Sequence, residues 1–138
     1  TSEIDVLATE KRTVNSFTGS DNERYLVTYI EPTEPKVAIN DMKIGVWKME
    51  NMMSFPVVYD YQLKIDPRMP SMGNHGSPNN VDLTQSLVEE FYHGKLSLTM
   101  TGYWKINLQL VNASNEVLKG EAITETNEAS SIYFEIEF

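Results

Sequence analysis

The chain has no cysteine, two histidines and few basic residues, and each shortage closes off a class of function. Without cysteine there is no disulfide framework, no thiolate zinc site and no thiol nucleophile. Eleven Lys and Arg stand against 20 Asp and Glu, a formal charge of -9. That balance argues against a nucleic-acid partner, because phosphate backbones are held by clustered cations. Two histidines offer little general-base capacity. No Gly-x-Ser-x-Gly elbow, phosphate-cradling Gly loop or His-Glu-x-x-His helix occurs, so the expectation is a protein that is not an enzyme. No apolar run is long enough to span a bilayer, and the amino terminus lacks the basic-then-apolar layout of a signal peptide. The opening Thr1-Ser2-Glu3, with no initiating Met, reads as a mature form whose targeting segment has been removed. Internal repeats and low-complexity segments are absent as well, which leaves one domain over residues 1–138 as the expected organisation.

What is present is period-two patterning. Residues 1–8 are weakly patterned, and Lys11 to Phe17 alternates loosely before the turn cluster Thr18-Gly19-Ser20-Asp21-Asn22. Arg24 to Ile30 sets Tyr25, Val27 and Tyr29 on one face and Leu26, Thr28 and Ile30 on the other, until Pro32 and Pro35 stop the strand. In Lys36 to Lys48 the alternation changes phase near Asn40-Asp41, which predicts a bulge or short turn there. Phe55 to Ile65 is predicted as a strand, and Leu83 to Tyr92 as irregular with a strand at its end.

The longest pattern runs Leu96, Leu98, Met100, Gly102, Trp104, Ile106, Leu108, Leu110. It exceeds the usual strand length, so a corner is expected at Met100-Thr101-Gly102-Tyr103, with Trp104 as the first large core anchor after it. Asn112 to Asn115 reads as a turn, Val117 to Thr124 as a strand, Glu125 to Ser130 as a polar loop, and Ile132 to Phe138 as a closing strand. Residues 111–138 are expected to add a C-terminal hairpin. Many short strands and turns with little helix predict an all-β, immunoglobulin-like antiparallel β-sandwich.

One stretch stands apart from that scaffold. Asp66-Pro-Arg-Met-Pro-Ser-Met-Gly-Asn-His75 holds two thioethers and an imidazole among Pro67, Pro70, Gly73 and Gly76, a density of breakers that predicts a surface loop. Methionine is unusual in a solvated loop. Either the loop folds back over an apolar patch, or the sulfurs are ligands.

The run Met69-Pro-Ser-Met-Gly-Asn-His75, followed by Phe91-Tyr-His-Gly94 and by Met100-Thr-Gly-Tyr-Trp-Lys-Ile106, resembles the YtkA-like family, itself similar to FixH-type proteins and to domains attached to heavy-metal efflux adaptors. The likeness spans about residues 25–110. It implies a small exported β-sandwich, periplasmic or cell-surface and lipid-anchored in its full-length form, in the context of copper handling and oxidase assembly. Periplasmic copper chaperones of the cupredoxin-like type are a poorer match: they use paired His-Met motifs on two loops, whereas His93 is followed by Gly94 and Lys95, with no Met.

Thioether and imidazole donors select copper(I), whereas magnesium, calcium and zinc prefer oxygen, nitrogen or thiolate. The candidate metal ligands are Met69, Met72 and His75, with Met100 able to complete the set if the corner folds against the loop. The competing reading has Met69 and Met72 packing as a lid on the sandwich while His75 makes a surface hydrogen bond. Met49, Met52 and Met53 form a second methionine cluster, read as packing on the sandwich end rather than as a second soft-metal surface, and His93 is read as an ordinary hydrogen-bonded side chain rather than a ligand. Glu89-Glu90 reads as a solvated face, and Asn112-Ala-Ser114 as a hairpin turn that also matches a glycosylation acceptor. The partner expected is another envelope protein, with membrane contact only through an anchor outside these residues.

Overall fold

A computed structural model describes residues 14–85 and 89–138. Its strands are β1 (Val14–Thr18), β2 (Arg24–Glu31), β3 (Ala38–Met49), β4 (Gln62–Met69), β5 (His75–Gly76), β6 (Val81–Gln85), β7 (Tyr92–Leu98), β8 (Tyr103–Val111), β9 (Val117–Lys119) and β10 (Tyr133–Glu137). A single 3-10 turn, Pro70–Met72, is the only helical element among the described residues. Every strand pair is antiparallel, along the path β1-β2-β3-β7-β6-β4-β8-β10, with β5 on β4 and β9 on β8. The strands form a barrel-like sandwich, all-β and immunoglobulin-like as the alternation predicts. β6 joins the two layers, pairing with β7 on one side and, at Leu63↔Leu83, with β4 on the other. Across the interior, the rings of Tyr29 on β2 and Phe134 on β10 meet edge-on at 5.4 Å.

The core is built from inward-facing alternate residues: Tyr25 and Val27 from β2, Met42 and Ile44 from β3, Leu96 and Leu98 from β7, Trp104 and Ile106 from β8. The predicted corner is present. β7 ends at Leu98, β8 begins at Tyr103, and Gly102 takes φ +132, which side chains resist. Trp104 is fully buried after it, its indole N–H donating to the Met100 carbonyl at 2.9 Å.

Several expectations are corrected. β3 pairs with β7 from Ala38↔Leu98 to Ile44↔Tyr92 without a register shift, so there is no bulge at Asn40-Asp41. The apolar pattern breaks because Asn40 fills the inward slot. Its side chain accepts from the Lys36 N–H at 3.0 Å and donates to the carbonyls of Lys36, Ala38 and Leu96, while Ile39 faces out. Residues 55–61 are mostly irregular, touching the sheet through the bridge Trp47↔Val57, and β4 begins only at Gln62. That strand then continues through Asp66-Pro67-Arg68-Met69, opposite Asn107, Ile106 and Lys105 of β8. Pro67 is tolerated because β6 pairs with β4 only at Gln62 and Leu63, which leaves the flank beside Pro67 without a ladder needing its N–H. Finally, β9 and β10 do not form a hairpin with each other. Both pair with β8, and Phe134 and Ile136 belong to the common core, so 111–138 is part of the sandwich. The start of the predicted first strand, Lys11 to Thr13, lies outside the described residues.

Candidate metal centre

Antiparallel pairing gathers one set of chain turns at the same end of the sandwich: the end of β4 with the 3-10 turn and β5, the start of β6, and the β7–β8 corner. All four candidate ligands are at this end. Beyond Met69 the chain turns through Pro70–Met72, with Pro in the first turn, and reverses through Gly73 and Asn74, which adopt left-handed φ values of 67 and 56. It returns as β5, where His75 stands opposite Met69. The ladder sets the two backbones side by side, with Met69 buried and His75 exposed.

Arg68 holds this turn in shape. Its guanidinium donates to both carboxylate oxygens of Asp66, at 2.8 and 3.2 Å, and to the Asn74 carbonyl at 3.3 Å. Asp66 thereby takes up the one positive charge inside the loop. Asn74 in turn donates its side-chain amide to the Glu128 carbonyl at 3.1 Å, fastening the loop to the C-terminal segment.

The four side chains differ in exposure. Met69 is 2% exposed and belongs to the core, because Asp66 to Met69, expected as part of a surface loop, continue β4. Its placement follows from β4 continuing as a strand, with Met69 in the inward slot after Leu63, Ile65 and Pro67. The Met69 methyl rests on the backbone of Gly102: a Cβ added there would lie 2.9 Å from it. Met72 is 52% exposed, Met100 is 39% exposed, and His75 is exposed on β5. Met100 thus sits two residues from the glycine that Met69 touches. One thioether is inside the sandwich end, and two thioethers with the imidazole are on its surface.

Among the described residues no three His, Cys, Asp or Glu side chains are grouped to hold a metal. An ion at this end would depend on thioethers and one imidazole, a donor set that suits copper(I). The neighbouring cleft of about 270 Å³, lined by Pro70, Gly73, Asn74, Lys105, Glu128 and Ala129, contains none of the four.

The remaining sequence candidates are placed as follows. His93 bonds through Nε2 to Glu89 at 2.9 Å. That bond, followed by Lys43, holds the Glu89 carboxyl below its usual range. Glu90 accepts from the Tyr59 hydroxyl at 3.3 Å. Asn112 organises the β8–β9 turn by accepting from the N–H groups of Ser114 and Glu116. Met52 and Met53 do not pack on the sandwich end: they are 85% and 92% exposed. Asn51 and Ser54 close a tight turn beneath them, and Asn51 Oδ1 accepts from the Met53 N–H at 2.8 Å, which points both side chains into solvent. The sequence carries a signal for this turn in Asn51 and Ser54, both turn formers.

No protein-family model matches the chain, and neither a curated protein nor a solved structure matches it.

Proposed function

We propose that this chain is a non-enzymatic accessory domain of the cell envelope that carries a soft cation, copper(I), at its Met/His end. The observation that carries the reading is the opposition of Met69 and His75 across β4 and β5, beside the corner bearing Met100. His75, Met72 and Met100 would hold the ion from the solvent side, with Met69 as the inner thioether. Bound copper(I) would be cargo rather than a reagent. The protein's own part is to keep the donors in place through the Arg68 bonds to Asp66 and Asn74. Support for an exported, lipid-anchored setting and for an envelope partner comes from the resemblance to the YtkA-like family.

The test is a copper(I) competition titration under reducing conditions on the native chain and on a Met72→Leu, His75→Ala, Met100→Leu variant. These three side chains are exposed, so the variant should keep its near-UV circular dichroism. Stoichiometric binding lost in the variant supports the reading. Equal and negligible binding in both removes it.

A second reading is favoured by the burial of Met69. On it, the sandwich is a structural or protein-interaction domain and the loop is a lid with no metal function. Met69→Ala should then lower stability by about 2–5 kcal/mol, as truncation of a core side chain does. The three surface substitutions would leave both stability and metal response unchanged.

A further inference from the structure

Two core side chains, Met69 and Trp104, support the corner that carries Met100. Thr99, Met100 and Thr101 are exposed between β7 and β8. Just past them Gly102 exchanges backbone hydrogen bonds with Phe138, its N–H donating at 3.0 Å and its carbonyl accepting at 3.3 Å, and the Met69 methyl rests on the same glycine. Those contacts fasten the start of β8. Met100 is fastened separately: Trp104, fully buried on β8, reaches back with its indole N–H to the Met100 carbonyl at 2.9 Å.

A methionine side chain turns about several bonds, so a partly exposed thioether is not aimed by its own packing. Its backbone aims it. With Gly102 anchored to Phe138 and the Met100 carbonyl held by Trp104, the peptide between Met100 and Thr101 has a fixed orientation, and the Cα–Cβ bond of Met100 leaves the corner in one direction. Without the indole bond the corner would have to be ordered when an ion arrives, and that ordering subtracts from the binding free energy. A buried indole N–H needs an acceptor, and here the acceptor is the backbone of a donor residue. We infer that Trp104 is a positioning residue for the soft-cation end: its N–H locks the corner so that the Met100 thioether is presented at the same end as Met72 and His75. The inference rests on the copper(I) reading above. It gives the spacing Met100, Gly102, Trp104 one physical account, as donor, reversal and lock.

The experiment reads the indole N–H directly. The chain has two tryptophans, so a proton–nitrogen correlation spectrum shows two indole resonances, assigned with Trp47→Phe. Trp47 stands near the far end of β3, whose Ala38 pairs with Leu98 beside the corner, and serves as the internal control. Copper(I), a closed-shell ion, is added under reducing conditions to the native chain and to Met100→Leu. The Trp104 resonance should shift and saturate at one equivalent, the Trp47 resonance should stay in place, and Met100→Leu should abolish the shift. Trp104→Phe removes the N–H and keeps an aromatic ring. By competition titration it should bind copper(I) about tenfold more weakly, as when a group supporting a ligand is lost. In the Met100→Leu background the same change should cause no further loss. Urea unfolding of each variant separates stability from affinity. Should Trp104→Phe fail to fold, the resonance shift in the native chain decides. A Trp104 resonance unmoved by saturating copper(I), or a Trp104→Phe variant that is less stable yet binds as tightly as the native chain, overturns the inference and leaves the metal reading standing. A native chain that binds no copper(I) overturns both.

Discussion

The indole of Trp47 lies over Gly45, two residues earlier on the same strand and on the same face, so close that a Cβ on Gly45 would overlap the benzo ring. Trp47 is thereby buried outside the main core, with Phe91 against it, and Thr28, the ladder partner of Gly45, is fully buried. Gly45→Ala should force the ring off the sheet and cost about 1–3 kcal/mol, the usual penalty of overpacking. Intrinsic fluorescence should shift to longer wavelength as Trp47 meets water, while Trp104 stays buried. An unchanged spectrum and unfolding midpoint would contradict this packing.

Asn40 ties β3 to β7 and to the Lys36 backbone through four hydrogen bonds made from an inward position. Removing the amide takes a partner from the buried Leu96 carbonyl and from the part-buried Lys36 and Ala38 groups, so Asn40→Ala should destabilise by about 1–3 kcal/mol. Chemical denaturation would measure it. A variant as stable as the native chain would mean that water replaces the amide at no cost.

At alkaline pH the buried tyrosines set the limit. Tyr92 donates to the Val58 carbonyl at 2.8 Å and receives the Tyr61 N–H at 3.3 Å, and burial pushes its hydroxyl up to about 12. Tyr25 is raised further by burial, by its hydrogen bond to Asp21 and by Tyr61. A folded value above the unfolded one favours the protonated form in the folded state. This contribution is complete below about pH 10, the ordinary tyrosine value, and is lost as pH rises through the folded value. Stability followed by denaturant titration should fall from about pH 10 upward. In Tyr92→Phe that fall should be shallower, with a loss of about 1–2 kcal/mol already present at neutral pH. An identical alkaline profile in the variant would remove Tyr92 as a cause.

Exposure orders the methionines towards oxidation. Limited treatment with hydrogen peroxide should convert Met52 and Met53 to sulfoxides well before Met42 and Met69, which are 1% and 2% exposed. Peptide mass spectrometry would read the order. Sulfoxides confined to the turn should change stability by less than about 0.5 kcal/mol, since nothing packs on those side chains. Early oxidation of Met69 would show that the sandwich end opens.

Strand alternation is a local property, and it was legible wherever one face is buried. The run from Leu96 to Leu110 shows this, with its break at Gly102 and its anchor at Trp104, because successive side chains must point to opposite sides of a strand. The turn after Met69 was legible too, since Pro70 and Gly73 among the five residues before His75 suffice to bring the chain back. Whether a residue faces in or out at an irregular position depends instead on its partners. Pro67 looks like a breaker until β4 is found unpaired on that flank, and only then does Met69 become a core residue rather than a loop one. Asn40 looks like a turn until Lys36, Ala38 and Leu96 supply its hydrogen bonds, which in turn sends Ile39 to the surface. The last two strands could pair with each other by sequence alone, and it is the shared edge of β8 that takes them both. The amino-acid order determined the donor types and the strands with one clearly buried face; long-range pairing decided the remaining strand bounds and which donors are buried, because hydrogen-bond satisfaction across the sheet outweighs local preference.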